Sequence, residues 1–331
     1  MRIFAGGFLM GPVQSSLIGV VRRDFEMRRS DVFVVNLLSD QIVFKTRLEC
    51  DCLAGLIGTD SEGFSLLLHT GQDGGDGRVV DRHLQLIRRS AATELDSSGR
   101  CPCDIVSQLG AYRLVNHEAR LYASFLANTS TCSAAYTRVR YCWGVCEFTA
   151  PLTPRLVCDA PVFGRCDPIN LDDELFLCET PDAESPPESS RLALVNFGSG
   201  QVLDLHCPIV LSTPRLNAHC DRVAFLKGGD SRSIEEFDLA RRETVHSWPV
   251  GSTCRLHGYY DTDHMLIDEN RHSLHRWTLE RLNLPDGCRA TLGSFSPVLD
   301  VLTDGAGLVV VLLGDRLRYA GTRVGEISLT V

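Results

Sequence analysis

Five side chains in the second half of the chain could together build a polar binding site: Arg215, Asn217, Arg255, His257 and Asp300. Arg215 and Arg255 stand at the same offset before two aspartates, Asp221 and Asp261, that open similar stretches of sequence. Asn217 and His257 follow two residues later, and Asp300 holds the matching place before Asp304. Two guanidiniums at equivalent positions could hold an anionic group such as a carboxylate. The plainer explanation is that repeated units keep similar residues and the arginines pair with acidic neighbours.

Other chemistries fit the residue spacing less well. Fourteen cysteines suggest a metal or disulfide framework until their positions are compared. The close pairs are two C-x-C (Cys50 with Cys52, Cys101 with Cys103) and one C-x-x-x-C (Cys142 with Cys146), without any CxxC. Structural zinc sites present two closely spaced pairs across a fixed gap. Several cysteines lie in apolar runs, as Cys178 does in LFLCET, so buried reduced thiols are expected, with no metal and no cofactor. His246, His257, His264, His272 and His275 crowd one region. His272 and His275 fall in a strand-like segment, where odd spacing sends side chains to opposite faces. The Asp73–Gly77 loop lacks the ligand series of an EF-hand. No G-x-S-x-G, G-x-x-x-x-G-K or H-E-x-x-H occurs, which lowers the expectation of an enzyme.

Composition narrows the class further. The chain has 331 residues, of which 44% are hydrophobic and 23% charged, a globular balance. A net charge of -9 is a poor match to a polyphosphate backbone, so no nucleic-acid partner is expected. Lys45 and Lys227 are the only lysines; Arg serves equally on a solvated surface, so no function follows. The start, MRIFAGGFLMGPV, lacks the long apolar core and cleavage site of a secretory signal. No run approaches the roughly 20 apolar residues that span a bilayer. A soluble cytoplasmic protein with reduced thiols is the expectation.

The elements that must position these side chains are strands. Apolar runs of five to eight residues recur, bounded by Gly, Asp, Asn, Ser or Pro: DVFVVNL, SRLALVNFG, RVAFLKGG and GLVVVLLGD. Such runs predict an all-β protein. IEEFDLARRE and WTLERLNL would pass as helices alone, but both sit in a repeat. In VVNLLSDQIVFKT and LVNFGSGQVLDL an apolar strand ends on a polar residue, turns, and leaves as a second apolar strand. Anchoring each copy on the polar residue gives Asn36, Arg88, Thr149, Asn196, Asp238, Thr278 and Ala320. A second anchor, an Asp or Asn upstream, gives Asp60, Asn116, Asp172, Asp221, Asp261 and Asp304. Each unit then reads as four antiparallel strands, the blade of a β-propeller. Insertions at 71–77, 127–137 and 181–190 fall at or near the loop between second and third strands. The expectation is one domain over residues 1–331, a single seven-bladed β-propeller, with six or eight blades as the nearest alternatives.

Phe237-Asp238 and Trp277-Thr278, an apolar or aromatic residue before a polar one, resemble the strand ends of WD-repeat propellers. Phe237-Asp238-Leu239 followed by Trp248-Pro249-Val250-Gly251 is similar to a YVTN-type unit. No unit carries a Trp-Asp pair, and the Gly-His element of WD repeats is absent from the sequence. The resemblance implies propeller architecture. The function expected from these observations is a non-catalytic scaffold for protein partners, a subunit of a larger complex. The alternative is a propeller enzyme or small-ligand binder, lactonase- or hydrolase-like, using a channel mouth lined by Arg215, Asn217, Arg255, His257 and Asp300. On that pattern RIFAGGFL supplies either the innermost strand of the first unit or a strand bridging the seam.

Overall fold

A computed structural model describes residues 6–11, 16–24, 26–59, 63–73, 79–90, 99–100, 109–117, 120–128, 139–146, 153–158, 166–170, 175–181, 190–196, 199, 201–209, 214–228, 232–269 and 277–329. Among these residues the regular elements are all strands. They pair antiparallel, in chain order, into seven four-stranded sheets. The first comprises β1 (Gly6–Met10), β2 (Leu17–Asp24), β3 (Arg29–Asn36) and β4 (Gln41–Leu48). The second comprises β5 (Asp51–Thr59), β6 (Gly63–Asp73), β7 (Val79–Ser90) and β8 (Gly99–Arg100). In the third are β9 (Leu109–His117), β10 (Arg120–Asn128), β11 (Val139–Cys146) and β12 (Thr153–Cys158). The fourth holds β13 (Cys166–Asn170), β14 (Leu175–Pro181), β15 (Ser190–Asn196) and β16 (Gln201–Ile209). The fifth is built of β17 (Arg215–Leu216), β18 (Arg222–Lys227), β19 (Ser233–Asp238) and β20 (Glu243–Pro249). The sixth has β21 (Cys254–Tyr259), β22 (His264–Glu269), β23 (Trp277–Asn283) and β24 (Arg289–Phe295). The seventh ends the chain with β25 (Asp300–Thr303), β26 (Val309–Leu313), β27 (Arg316–Ala320) and β28 (Val324–Ser328).

The two helix-like segments instead contain the strands β19 and β23, the first running on through the turn into β20. Tertiary burial overrides their helical propensity: β19 buries Ile234 and Phe237, and β23 buries Leu279 and Leu282. Second strands such as β26 (VVVLL) are buried at every position, because a sheet lies against each face. Fourth strands such as β24 are mostly exposed and read as polar.

The hairpin between third and fourth strands follows one design. In the first, fifth and sixth sheets it opens on Asn36, Asp238 and Asn283. The side-chain Oδ1 of each accepts backbone N–H groups of the turn, Leu38 at 2.9 Å, Arg241 at 2.9 Å and Asp286 at 3.2 Å. The next residue, Leu37, Leu239 or Leu284, is buried. Asp40 (φ 55°), Arg242 (φ 59°) and Gly287 (φ 70°) take the left-handed conformation that ends the turn. In the sixth sheet the anchor expected at Thr278 is thus Asn283, since Thr278 lies near the start of β23. Of the polar residues in TLERLNL, only Asn283 is followed by a turn. Thr149, Asp60 and Asp172 lie outside the described residues, as do the His272–His275 pair and most of the three insertions.

The sheets pack face to face in chain order, and the seventh also packs against the first. First strands neighbour one another: β1 with β5, β5 with β9, β9 with β13, β17 with β21, β21 with β25, and β25 with β1. The architecture is propeller-like, with first strands innermost. The described part of RIFAGGFL, from Gly6, belongs to β1, the first strand of the first sheet. At the seam Leu9, Val20, Phe33 and Val35 pack on Leu312, Leu317, Tyr319 and Ile327. The Asp300 carboxylate accepts the Leu9 N–H at 2.7 Å, and the Tyr319 hydroxyl donates to Asp40. Gly7 explains part of the Gly-Gly pair: a Cβ there would lie 2.7 Å from the Val21 carbonyl oxygen and 3.0 Å from Leu312. No helix among the described residues is long and apolar enough to cross a membrane.

Candidate functional site on the innermost strands

His257 occupies a β-bulge. The register of β21 on β22 shifts between Leu256 and Gly258, so His257 is the unpaired residue. Gly258, at φ 150°, supplies a backbone conformation that side chains disfavour. A bulge of this kind re-aims one side chain. Here the His257 Nε2 meets the Asp268 Oδ2 at 2.8 Å, with His257 10% exposed and Asp268 fully buried. The second carboxylate oxygen of Asp268, Oδ1, has no hydrogen-bond partner among the described residues. The His257 ring stacks on Trp277, centroids 5.6 Å apart, and the Arg255 guanidinium lies 4.7 Å from the Trp277 ring centre. Arg255 forms no ion pair among the described residues; its charge rests on the indole.

Asp300 begins β25 and accepts two backbone N–H groups, from Leu9 at 2.7 Å and Val301 at 2.9 Å. Burial pushes its carboxyl above the usual carboxylate range. The two N–H donors and the charges of His257 and Arg215 act in the opposite direction. Arg215, half-buried, starts β17, a first strand that neighbours β21, which in turn neighbours β25. Three adjacent sheets contribute one residue each.

Asn217 stands apart from this cluster. It lies just past β17, in the turn to β18, where its Oδ1 accepts the N–H groups of Asp221 and Arg222, both at 3.1 Å. Its amide donates to the Asp221 carboxylate at 2.6 Å. Equal offsets from the turn aspartate do not give equal positions, because the bulge adds a residue to β21 and β17 lacks one. Asp268 and Trp277, which complete the cluster, were not among the five residues read from the sequence. The signal for Asp268 was present: a carboxylate inside the apolar run MLIDE must be paired if that strand is buried.

A second buried carboxylate lies between the fifth and sixth sheets. Glu236, nearly inaccessible, accepts from Tyr259 Oη at 3.0 Å and Arg222 Nη1 at 3.3 Å, and its Oε2 meets His246 Nδ1 at 2.7 Å. Burial and this carboxylate push the Tyr259 hydroxyl pKa up. Its partners come from three strands, β18 and β20 of the fifth sheet and β21 of the sixth, so it reads as a clasp between sheets. Among the described cysteines, Cys207 and Cys254 are buried and their thiols are pushed up to about 12 by desolvation, which suppresses the thiolate that metals and electrophiles require. No group of three or more His, Cys, Asp or Glu among the described residues could hold a metal ion.

No protein-family model matches the chain, and no curated protein matches it. Solved structures do. Puromycin hydrolase aligns with TM-score 0.62 at 12% identity over 98% of this chain and 53% of its own, so the chain spans about half of that enzyme. The uncharacterised protein lmo1340 of Listeria monocytogenes aligns with TM-score 0.59 at 9% identity, over 97% of this chain and 94% of that one. Oligogalacturonate lyase in complex with manganese aligns with TM-score 0.53 at 13% identity, covering 88% and 77%. At these identities the likeness is one of fold.

Proposed function

We propose that the chain is a seven-bladed propeller that binds a small carboxylate-bearing ligand at its inner polar cluster, in the manner of an enzyme rather than an interaction scaffold. The seven sheets are its blades, closed by packing of the seventh on the first. The observation that carries the functional reading is the His257–Asp268 pair on the innermost part of the sixth sheet, with Arg215 and Asp300 from the flanking sheets acting on the same region. A buried carboxylate on one imidazole nitrogen fixes the ring's orientation and tautomer and leaves the other nitrogen to exchange a proton with a bound molecule. Arg215 supplies a fixed positive charge for an anionic substituent. The fold neighbours named for an activity include a hydrolase and a lyase, which favours a ligand-handling propeller over the scaffold expected from the sequence.

The probe is D-galacturonate, a small acid sugar, with D-galactose as its uncharged counterpart. Calorimetric titration is expected to give saturable binding of galacturonate, at least tenfold weaker in Arg215→Gln and in His257→Gln, and no binding of galactose. Equal binding of both sugars, or the same galacturonate affinity in all three proteins, would overturn the reading, as would no galacturonate binding at all.

A further inference from the structure

A cleft of about 540 Å³ opens between the sixth and seventh sheets, away from the inner cluster. That volume lies in the range of small-molecule sites, about 300–1,000 Å³. Its walls are Leu279 and Phe295 of the sixth sheet and Val309, Val311 and Val324 of the seventh. Register shapes its sixth-sheet wall. Between the first and second sheets, the fourth strand places Phe44 beside Val34, and Phe44 meets Phe64 edge-on at 5.6 Å. In the sixth sheet the fourth-strand residues beside Leu279 and Arg281 are Gly293 and Ala290. A Cβ at Gly293 would lie 3.0 Å from the Phe295 ring, so the missing side chain makes room for that ring, which forms one wall of the cleft. Apolar side chains at the cleft remain uncovered: Leu292 is 39% exposed and Val324 83%.

One polar group at the rim has unused capacity. Arg318, which lines the cleft, donates through Nε to Glu326, and its two terminal nitrogens have no protein partner among the described residues. Glu326 also takes Arg316 Nη1 at 3.2 Å, and its carboxyl is held below the usual range by these two guanidiniums. Asp315 lies 3.3 Å from Arg316 Nε, so formal charge at the rim is balanced. The head group is therefore selected by the open donor edge of Arg318, a fork that matches a carboxylate.

We propose that this cleft binds a free amphipathic monocarboxylate, its apolar body against Leu279, Phe295, Val309 and Val311 and its head group on Arg318. The proposal does not depend on the inner cluster. The probes are decanoate, below the concentration at which it forms micelles, and decanol, which has the same body without the acid. Isothermal titration should show saturable binding of both, decanoate more tightly. Arg318→Gln should weaken decanoate about fivefold and leave decanol unchanged. Ala320→Phe, an exposed lining residue of β27, should fill the cleft and abolish both, while Val324→Asp should weaken both without unfolding the protein. Absence of saturable decanoate binding would overturn the proposal. So would decanoate affinity that Arg318→Gln and Ala320→Phe leave unchanged in proteins with wild-type circular dichroism.

Discussion

Replacing Asp300 by Ala tests whether a single side chain holds the seam between the last and first sheets. Its carboxylate accepts the Leu9 N–H at 2.7 Å and the Val301 N–H at 2.9 Å. Hydrogen bonds to a charged partner contribute about 1.5–3 kcal/mol each, and relief of the carboxylate's own burial offsets part of that. A net loss of about 2 kcal/mol is expected, or a fall in Tm of roughly 4 °C for a chain of this size. Urea unfolding gives the first number, and amide exchange at Leu9 localises it. The pH dependence has a definite sign. A carboxyl whose folded pKa lies above its unfolded value binds more protons in the native state, so stability from this group falls as pH rises from about 4 through the folded pKa. Asp300→Asn removes that dependence, so its deficit relative to wild type should shrink with rising pH. An unchanged Leu9 exchange rate in Asp300→Ala, or a deficit of Asp300→Asn that grows with pH, would refute the reasoning.

Three further outcomes are expected. Gly7→Ala places a methyl group 2.7 Å from the Val21 carbonyl oxygen and should cost about 1–3 kcal/mol in chemical denaturation, since overpacking against backbone cannot relax by a rotamer change. Tyr259→Phe removes a donor to the buried Glu236 carboxylate and should cost about 1.5–3 kcal/mol, with a smaller effect in a Glu236→Gln background by double-mutant cycle. Cys254, its thiol pushed up to about 12, should resist a thiol reagent in the native protein at pH 8, with roughly one thiol in ten thousand ionised, and react only on unfolding; fast native labelling at Cys254 would contradict its burial.

Much of the architecture was legible because each turn carries its own local chemistry. Asn36, Asn196 and Asp238 end strands as their side chains require, and the hairpins they open could be aligned by eye. Asp221, Asp261 and Asp304 likewise fall in the turns between first and second strands, where Asp304 accepts the N–H groups of Ala306 and Leu308 at 2.7 and 2.8 Å. The sixth unit was misaligned because Thr278 fitted the spacing and Asn283 fitted the turn; capping, not spacing, decides where a strand stops. The cluster was only partly legible for a related reason. Residue offsets put Arg215, Asn217, Arg255, His257 and Asp300 at one mouth, but offsets do not register the extra residue of the bulge at His257 or the engagement of Asn217 Oδ1 by the turn N–H groups of Asp221 and Arg222. Asp268 became informative only once β22 was known to be buried on both faces.

We propose that His257, oriented by Asp268, meets an acid ligand. Histidine-nitrogen NMR on protein labelled at its ten histidines, with His257 assigned by its loss in His257→Gln, reads this directly. Both His257 ring nitrogens are expected to move saturably as galacturonate is added, to stay fixed with galactose, and to move far less in Arg215→Gln. A His257 signal that ignores galacturonate, or that responds identically to the neutral sugar, would contradict it.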